Sequence, residues 1–195
     1  MRILLTHLIV IGLALSCHSV TSTTVDVVQK DSSGIPDGVV VLDQSNPTES
    51  PLVDHMLWVL TDPDLDPLAS HRPTEISCPP GAYGEEQGTF EVETGYCNYI
   101  SMSQPSLMAI ASGNKIHVTL WHNNLVAAEP YEAHVAIFVG DQLIWESQVS
   151  VPHDAAVYDT SIPVNFSAAA GTPVHYHLHN HGYNSWNLLY VNVVP

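Results

Sequence analysis

Four histidines alternate near the C-terminus: His175, His177, His179 and His181. In an extended chain, alternation sends side chains to opposite faces, so these four share one face while Val174, Tyr176 and Leu178 share the other. Two imidazoles at i and i+2 stand roughly 6.6 Å apart along a strand. That is close enough to turn both rings toward one cation. Neutral imidazole is a good ligand for zinc and copper. His175 and His181 are about 20 Å apart by the same rise, so the whole row cannot hold one ion. A site needs an adjacent pair, His177 with His179 or His179 with His181, and a ligand from elsewhere. His134, His122, Glu132 and Glu129 are the candidates for that ligand. They end one predicted strand and open the next, and they meet the row only if those strands are neighbours. The expected site is therefore copper or zinc on His177, His179, His181, His134 and His122. The same row also fits a solvated polar face, or a pH-responsive surface, because adjacent imidazoles repel once protonated.

The elements that position these residues read as strands. From Thr89 onward, short runs of alternating polarity predict strands at 90–93, 98–102, 107–110, 115–122, 132–139, 142–149, 161–166, 173–181 and 186–194. Turn residues separate them, and Gly140-Asp141 is the best two-residue hairpin signal. No long segment has helical periodicity. The pattern predicts an all-β fold, an antiparallel β-sandwich or jelly roll, over residues 52–195. Residues 53–60 read equally as a short helix or a strand. Asp62-Pro63-Asp64-Leu65-Asp66 reads as an acidic turn, because the sixth and twelfth positions that an EF-hand loop needs are Pro67 and Pro73.

The chain's 195 residues carry four Lys or Arg against 20 Asp or Glu, a formal charge of -16, with 12 histidines. This balance argues against nucleic acid and against anionic membrane surfaces, which reward clustered cations. Residues 1–16 read as a secretory signal: Met1-Arg2, an apolar run from Ile3 to Leu15, then small residues. Ala14-Leu15-Ser16-Cys17 resembles the lipobox of bacterial lipoproteins, which implies lipidation of Cys17 and tethering to the cell envelope or outer surface, with simple secretion as the alternative. Membrane contact is expected only through that anchor. Residues 17–51, rich in Ser, Thr, Asp and Pro, read as a flexible tether, with a possible strand at 38–42.

Removing Cys17 leaves Cys78 and Cys97, which in an exported chain are expected to pair. The pair would close a turn-rich loop and stabilise by roughly 3 kcal/mol through chain entropy.

His179-Asn180-His181-Gly182 is similar to the His-x-His-Gly runs of multicopper oxidases, over four residues only. Neither Cys78 nor Cys97 lies beside a histidine cluster, so oxidase or electron-transfer chemistry is not carried over. Two further readings stand beside metal binding. The first is a surface module for a glycan or a protein, with Trp121, Tyr183 and Trp186 as aromatic contacts and no metal. The second is a metal-dependent enzyme, with Glu129 or Glu132 as base to a metal-bound water. No nucleophile motif is present and no catalytic residue is assigned, so binding is favoured over catalysis.

Overall fold

Period-two alternation produces 11 strands and no α-helix among the described residues. The structure, a computed structural model, describes residues 48–195. The signal segment, Cys17, the 17–47 part of the tether and the strand expected at 38–42 lie outside the described residues.

The strands are β1 (Ser50–Pro51), β2 (Val59–Leu60), β3 (Tyr83–Glu86), β4 (Thr89–Glu93), β5 (Tyr99–Pro105), β6 (Lys115–His122), β7 (Tyr131–Val139), β8 (Gln142–Val151), β9 (Ala156–Pro163), β10 (Pro173–His179) and β11 (Ser185–Val194). They form two antiparallel sheets. Sheet I has the order β3-β4-β11-β6-β9, with β1 also on β11, and sheet II has the order β2-β5-β10-β7-β8. The pairings nest: β4 with β11, β5 with β10, β6 with β9 and β7 with β8. A long hairpin folded over on itself gives this arrangement, so the sandwich is a jelly roll.

One apolar layer fills the space between the sheets. Sheet I contributes Phe90, Val92, Ile116, Val118, Leu120, Trp186, Leu188, Val191 and Val193, and sheet II contributes Ile100, Met102, Val135, Ile137, Val174, Tyr176 and Leu178. The aliphatic faces expected from alternation are thus the buried ones. The hairpin turns at Gly140-Asp141, where Gly140 adopts φ +59° and Val139 pairs with Gln142. Only glycine takes that φ at no steric cost.

Several elements differ from the sequence expectation. The segment 107–110 is no strand, and only Ile110 makes an isolated bridge, to Ala168. The strand expected at 161–166 starts earlier, as β9. The glycine-containing β3 is found where no strand was expected. The ambiguous 53–60 stretch is a 3-10 turn (His55–Leu57) followed by β2. Ser50–Pro51, placed in the tether by composition, pairs with β11 through Val193 and Asn192.

Candidate metal centre

β10 lies at the middle of sheet II, between β5 and β7, with Val174, Tyr176 and Leu178 in the core. His175, His177 and His179 therefore point away from the core. Cross-strand register puts His179 opposite His134 and Tyr99, and His177 opposite Ala136 and Ser101. Of the two strands that had to lie beside the row, β7 with His134 does, and β6 with His122 belongs to the other sheet.

This outer face is not open to water. His177 is 1% exposed and His175 6%. The cover is a strap, residues 61–72, that crosses the face in two short 3-10 turns, Pro63–Leu65 and Ala69–His71. Asp62 Oδ1 accepts the Asp64 N–H, Pro63 supplies the fixed φ of the first turn, and Asp66 Oδ1 accepts the Leu68 N–H. The strap is pinned at three places. The Thr61 N–H donates to the Ser101 carbonyl, the Tyr99 hydroxyl donates to Asp66, and the Arg72 guanidinium sits 5.6 Å from the Tyr99 ring centroid. Just beyond the strap, the Cys78–Cys97 disulfide ties the chain to the residues that enter β5. The acidic turn is thus a building piece of the lid over the histidines.

The strap carries His71 down onto β7 and β10. One nitrogen from each of His71, His134 and His177 lies within 4.8 Å of the other two. His71 Nδ1 and His134 Nδ1 are 3.1 Å apart. A tetrahedral ion with bonds of about 2.0–2.1 Å separates its ligand nitrogens by roughly 3.4 Å. The His71–His134 separation is close to that value, and the other two separations exceed it by no more than about 1.4 Å.

Two further features fit a cation. The other nitrogen of His134, Nε2, lies 3.1 Å from Glu146 Oε2. A carboxylate accepts there, so Nε2 carries the hydrogen and Nδ1 presents its lone pair to the trio, as in carboxylate–histidine–metal arrangements. Both ring nitrogens of His177 are buried with no hydrogen-bond partner among the described residues. Leaving a buried polar atom unpaired costs roughly 1–3 kcal/mol, and a bound ion would satisfy one of the two. Burial pushes His177 down to about 3, helped by the charges its neighbours His134, His71 and His179 would carry. His179 is pushed down to about 4, first by burial and then by His181. Both are neutral at ordinary pH, which is the form that ligates.

His179 and His181 do not reach the trio. β10 ends at His179, two residues short of the expected strand. The chain then turns. Asn180 is fully buried, and its Oδ1 accepts the Gly182 N–H at 2.6 Å. A Cβ on Gly182 would meet Val151 Cγ1 at 3.0 Å and the Val126 carbonyl at 3.1 Å, so any larger residue here would force its neighbours to give way. It swings His181 back until its Nε2 lies 2.6 Å from that of His179. The Tyr131 ring packs on His181 at 4.1 Å between centroids.

His122 stands elsewhere. It belongs to sheet I on the core side, 1% exposed, with its ring against Trp186, Tyr158 and His153. Alternation along β6 puts it on the same inward face as Ile116, Val118 and Leu120, and the fold leaves it away from the row. Glu129 and Glu132 are both exposed. His71 was missed by sequence reasoning. It sits alone in Ser70-His71-Arg72-Pro73, with no periodicity or spacing to tie it to the row. Glu146 was likewise one polar residue among several on its strand.

The aromatic candidates are not brought to one groove. Trp186 is fully buried in the core, Trp121 lies half-buried on the outer face of sheet I, and Tyr183 is exposed in the turn before β11.

No protein-family model and no curated protein sequence matches the chain. Among solved structures, a carbohydrate-binding module (CBM4) is similar at 14% identity and TM-score 0.39, over 74% of this chain and 99% of that one. The enzymatically active domain of tailspike protein 4 of bacteriophage CBA120 is similar at 12% identity and TM-score 0.36, over 77% of this chain and 20% of that one. An agarase, AgWH50C, is similar at 9% identity and TM-score 0.34, over 71% of this chain and 24% of that one. The chain thus spans a quarter or less of the length of the last two, and likeness at this level carries over nothing that those proteins bind or cut.

Proposed function

We propose that this protein is an exported metal-binding jelly roll that holds copper or zinc through His71, His134 and His177. The observation that carries the reading is His177: an imidazole 1% exposed, unpartnered at both nitrogens among the described residues, in a set of three nitrogens within 4.8 Å of one another. Three imidazoles suit zinc and copper and do not suit magnesium or calcium, which take oxygen ligands. They leave a fourth tetrahedral position for water or another ligand. The chain's excess of acids raises the local concentration of cations. Export rests on the signal-like residues 1–16, with Cys17 as the lipid attachment point, and agrees with the Cys78–Cys97 disulfide, since disulfides persist in oxidising compartments.

Calorimetric titration of the metal-free protein with Zn²⁺ and with Cu²⁺, backed by elemental analysis, tests this reading. A tight equivalent is expected in the wild type and is lost in His134→Ala/His177→Ala while the far-ultraviolet spectrum is kept. Absence of uptake by the folded wild type overturns it.

A second reading has its own observation, on the other side of the sandwich. The outer face of sheet I carries Trp121, half-buried. Asn187 faces Trp121 across β6 and β11, Glu91 faces Asn187 across β4, and Tyr190, 47% exposed, faces Thr119. Asn187 Nδ2 is buried without a partner among the described residues. An aromatic plane flanked on the same face by the Glu91 carboxylate and the Tyr190 hydroxyl suits a sugar ring. A glycan array read with wild type and Trp121→Ala tests it. Signals lost in Trp121→Ala and kept in His134→Ala/His177→Ala support glycan binding on this face, and the absence of signals from the wild type rejects it.

A further inference from the structure

The trio accounts for three of the five histidines gathered at this end of sheet II. Two ligands of one ion, each bonded at about 2.0–2.1 Å, can be at most about 4.2 Å apart. No nitrogen of His179 or His181 joins the three that lie within 4.8 Å of one another. One ion on the trio therefore lies out of reach of this second pair. Yet the pair converges: the two Nε2 atoms are 2.6 Å apart, held by the Asn180-Gly182 turn and by the Tyr131 ring. The strand alone would keep these side chains well apart, since residues two apart are separated by roughly 6.6 Å. Chain has been spent on bringing them together. The pair is also next to the trio, because His179 is the direct cross-strand partner of His134.

We propose that the centre is two-site: an inner ion on His71, His134 and His177, and a second, more exposed ion on His179 and His181. This deepens the metal-binding reading and rests on it. The outer site differs in kind from the inner one. His179 and His181 are both partly exposed, whereas His134 and His177 are buried. Two imidazoles leave more of the coordination sphere to water, so the outer ion binds more weakly and exchanges faster. Two ligands at right angles on one ion would lie about 2.9 Å apart, so the rings need to open by only a few tenths of an ångström. The alternative for the same 2.6 Å approach is an N–H···N hydrogen bond between the rings, with no ion.

The test uses the full chain, Zn²⁺ for stoichiometry and Cu²⁺ for proximity. The wild type is expected to saturate at two ions per chain, one tight and one weaker. His181→Ala should saturate at one, with the tight phase unchanged. If that variant unfolds, as judged by circular dichroism, His181→Gln replaces it. Copper-loaded wild type should show a half-field paramagnetic resonance line from two neighbouring ions, and the line should vanish in the His181 variant. Saturation at one ion, with His181→Ala unchanged, overturns the outer site and leaves the inner one standing. A second ion lost from His117→Ala instead, or two copper ions without the half-field line, also overturns it. No uptake by the wild type ends both readings.

Discussion

Two histidines on the outer faces of this sandwich show how differently one residue type behaves in equivalent strand positions. His117 on sheet I and His177 on sheet II each alternate with core residues and point away from the core. His117 is partly exposed and sits between two carboxylates, with Nδ1 2.9 Å from Glu49 and Nε2 facing Asp159. These hydrogen bonds, Asp159's first and Glu49's second, raise its pKa. His177 lies under the strap among other imidazoles with no acid against it, and burial drives its pKa down to about 3. The strand decides which way a side chain faces. What lies over that face decides its charge and its chemistry.

Breaking the covered face should produce the largest effect. His134→Ala/His177→Ala should weaken metal affinity by more than about 100-fold, while His117→Ala leaves it unchanged. Equal losses in a calorimetric titration would show that the two faces do not differ as described. Glu146→Gln keeps the shape of the residue and removes its charge, so His134 loses its fixed tautomer; affinity should fall by about 10–100-fold. Tyr99→Phe removes the hydrogen bond that ties Asp66, and with it the strap, to the sheet. One lost hydrogen bond of about 0.5–1.5 kcal/mol predicts a fall of roughly 2–10-fold, with the trio intact.

The smallest effects separate the faces by pH. An unfolded histidine takes up its proton near about 6.5. Folded His177 holds its proton only near about 3, so between these values the unfolded chain binds more protons. The metal-free protein should then lose stability as pH falls from about 6.5 toward 3, and His177→Ala should flatten that limb. His117 has the opposite sign. Its raised pKa gives stability that is complete below about 6.5 and is lost as pH rises through the folded value. Melting temperatures of wild type, His117→Ala and His177→Ala between pH 4 and 8 check both limbs, and a common slope in all three would remove the contrast.

Much of the scaffold was legible along the chain. β6, β7, β8, β10 and β11 were read to within a few residues, because strict alternation over eight or more residues leaves few other structures. β3 escaped, since Tyr83-Gly84-Glu85-Glu86 offers no apolar alternation, and Ser161 to Phe166 was placed late because β9 exposes most of its residues. At the site, the shared face of His175, His177 and His179 was legible. The return of His181 was not, because it depends on Asn180 and Gly182 fitting against Val151 and Val126 from distant strands.

By itself, then, the sequence determined an all-β sandwich, a disulfide between Cys78 and Cys97, and a histidine face turned from the core, since each follows from local periodicity or from a count of residues. Only the tertiary structure decided that this face is roofed, that His71, 63 residues before His134, joins it and Glu146 from a neighbouring strand, and that His122 does not. Strand order and the path of a strap are set by which surfaces bury one another. That is a property of the whole packed chain and leaves no mark on the spacing of any one segment.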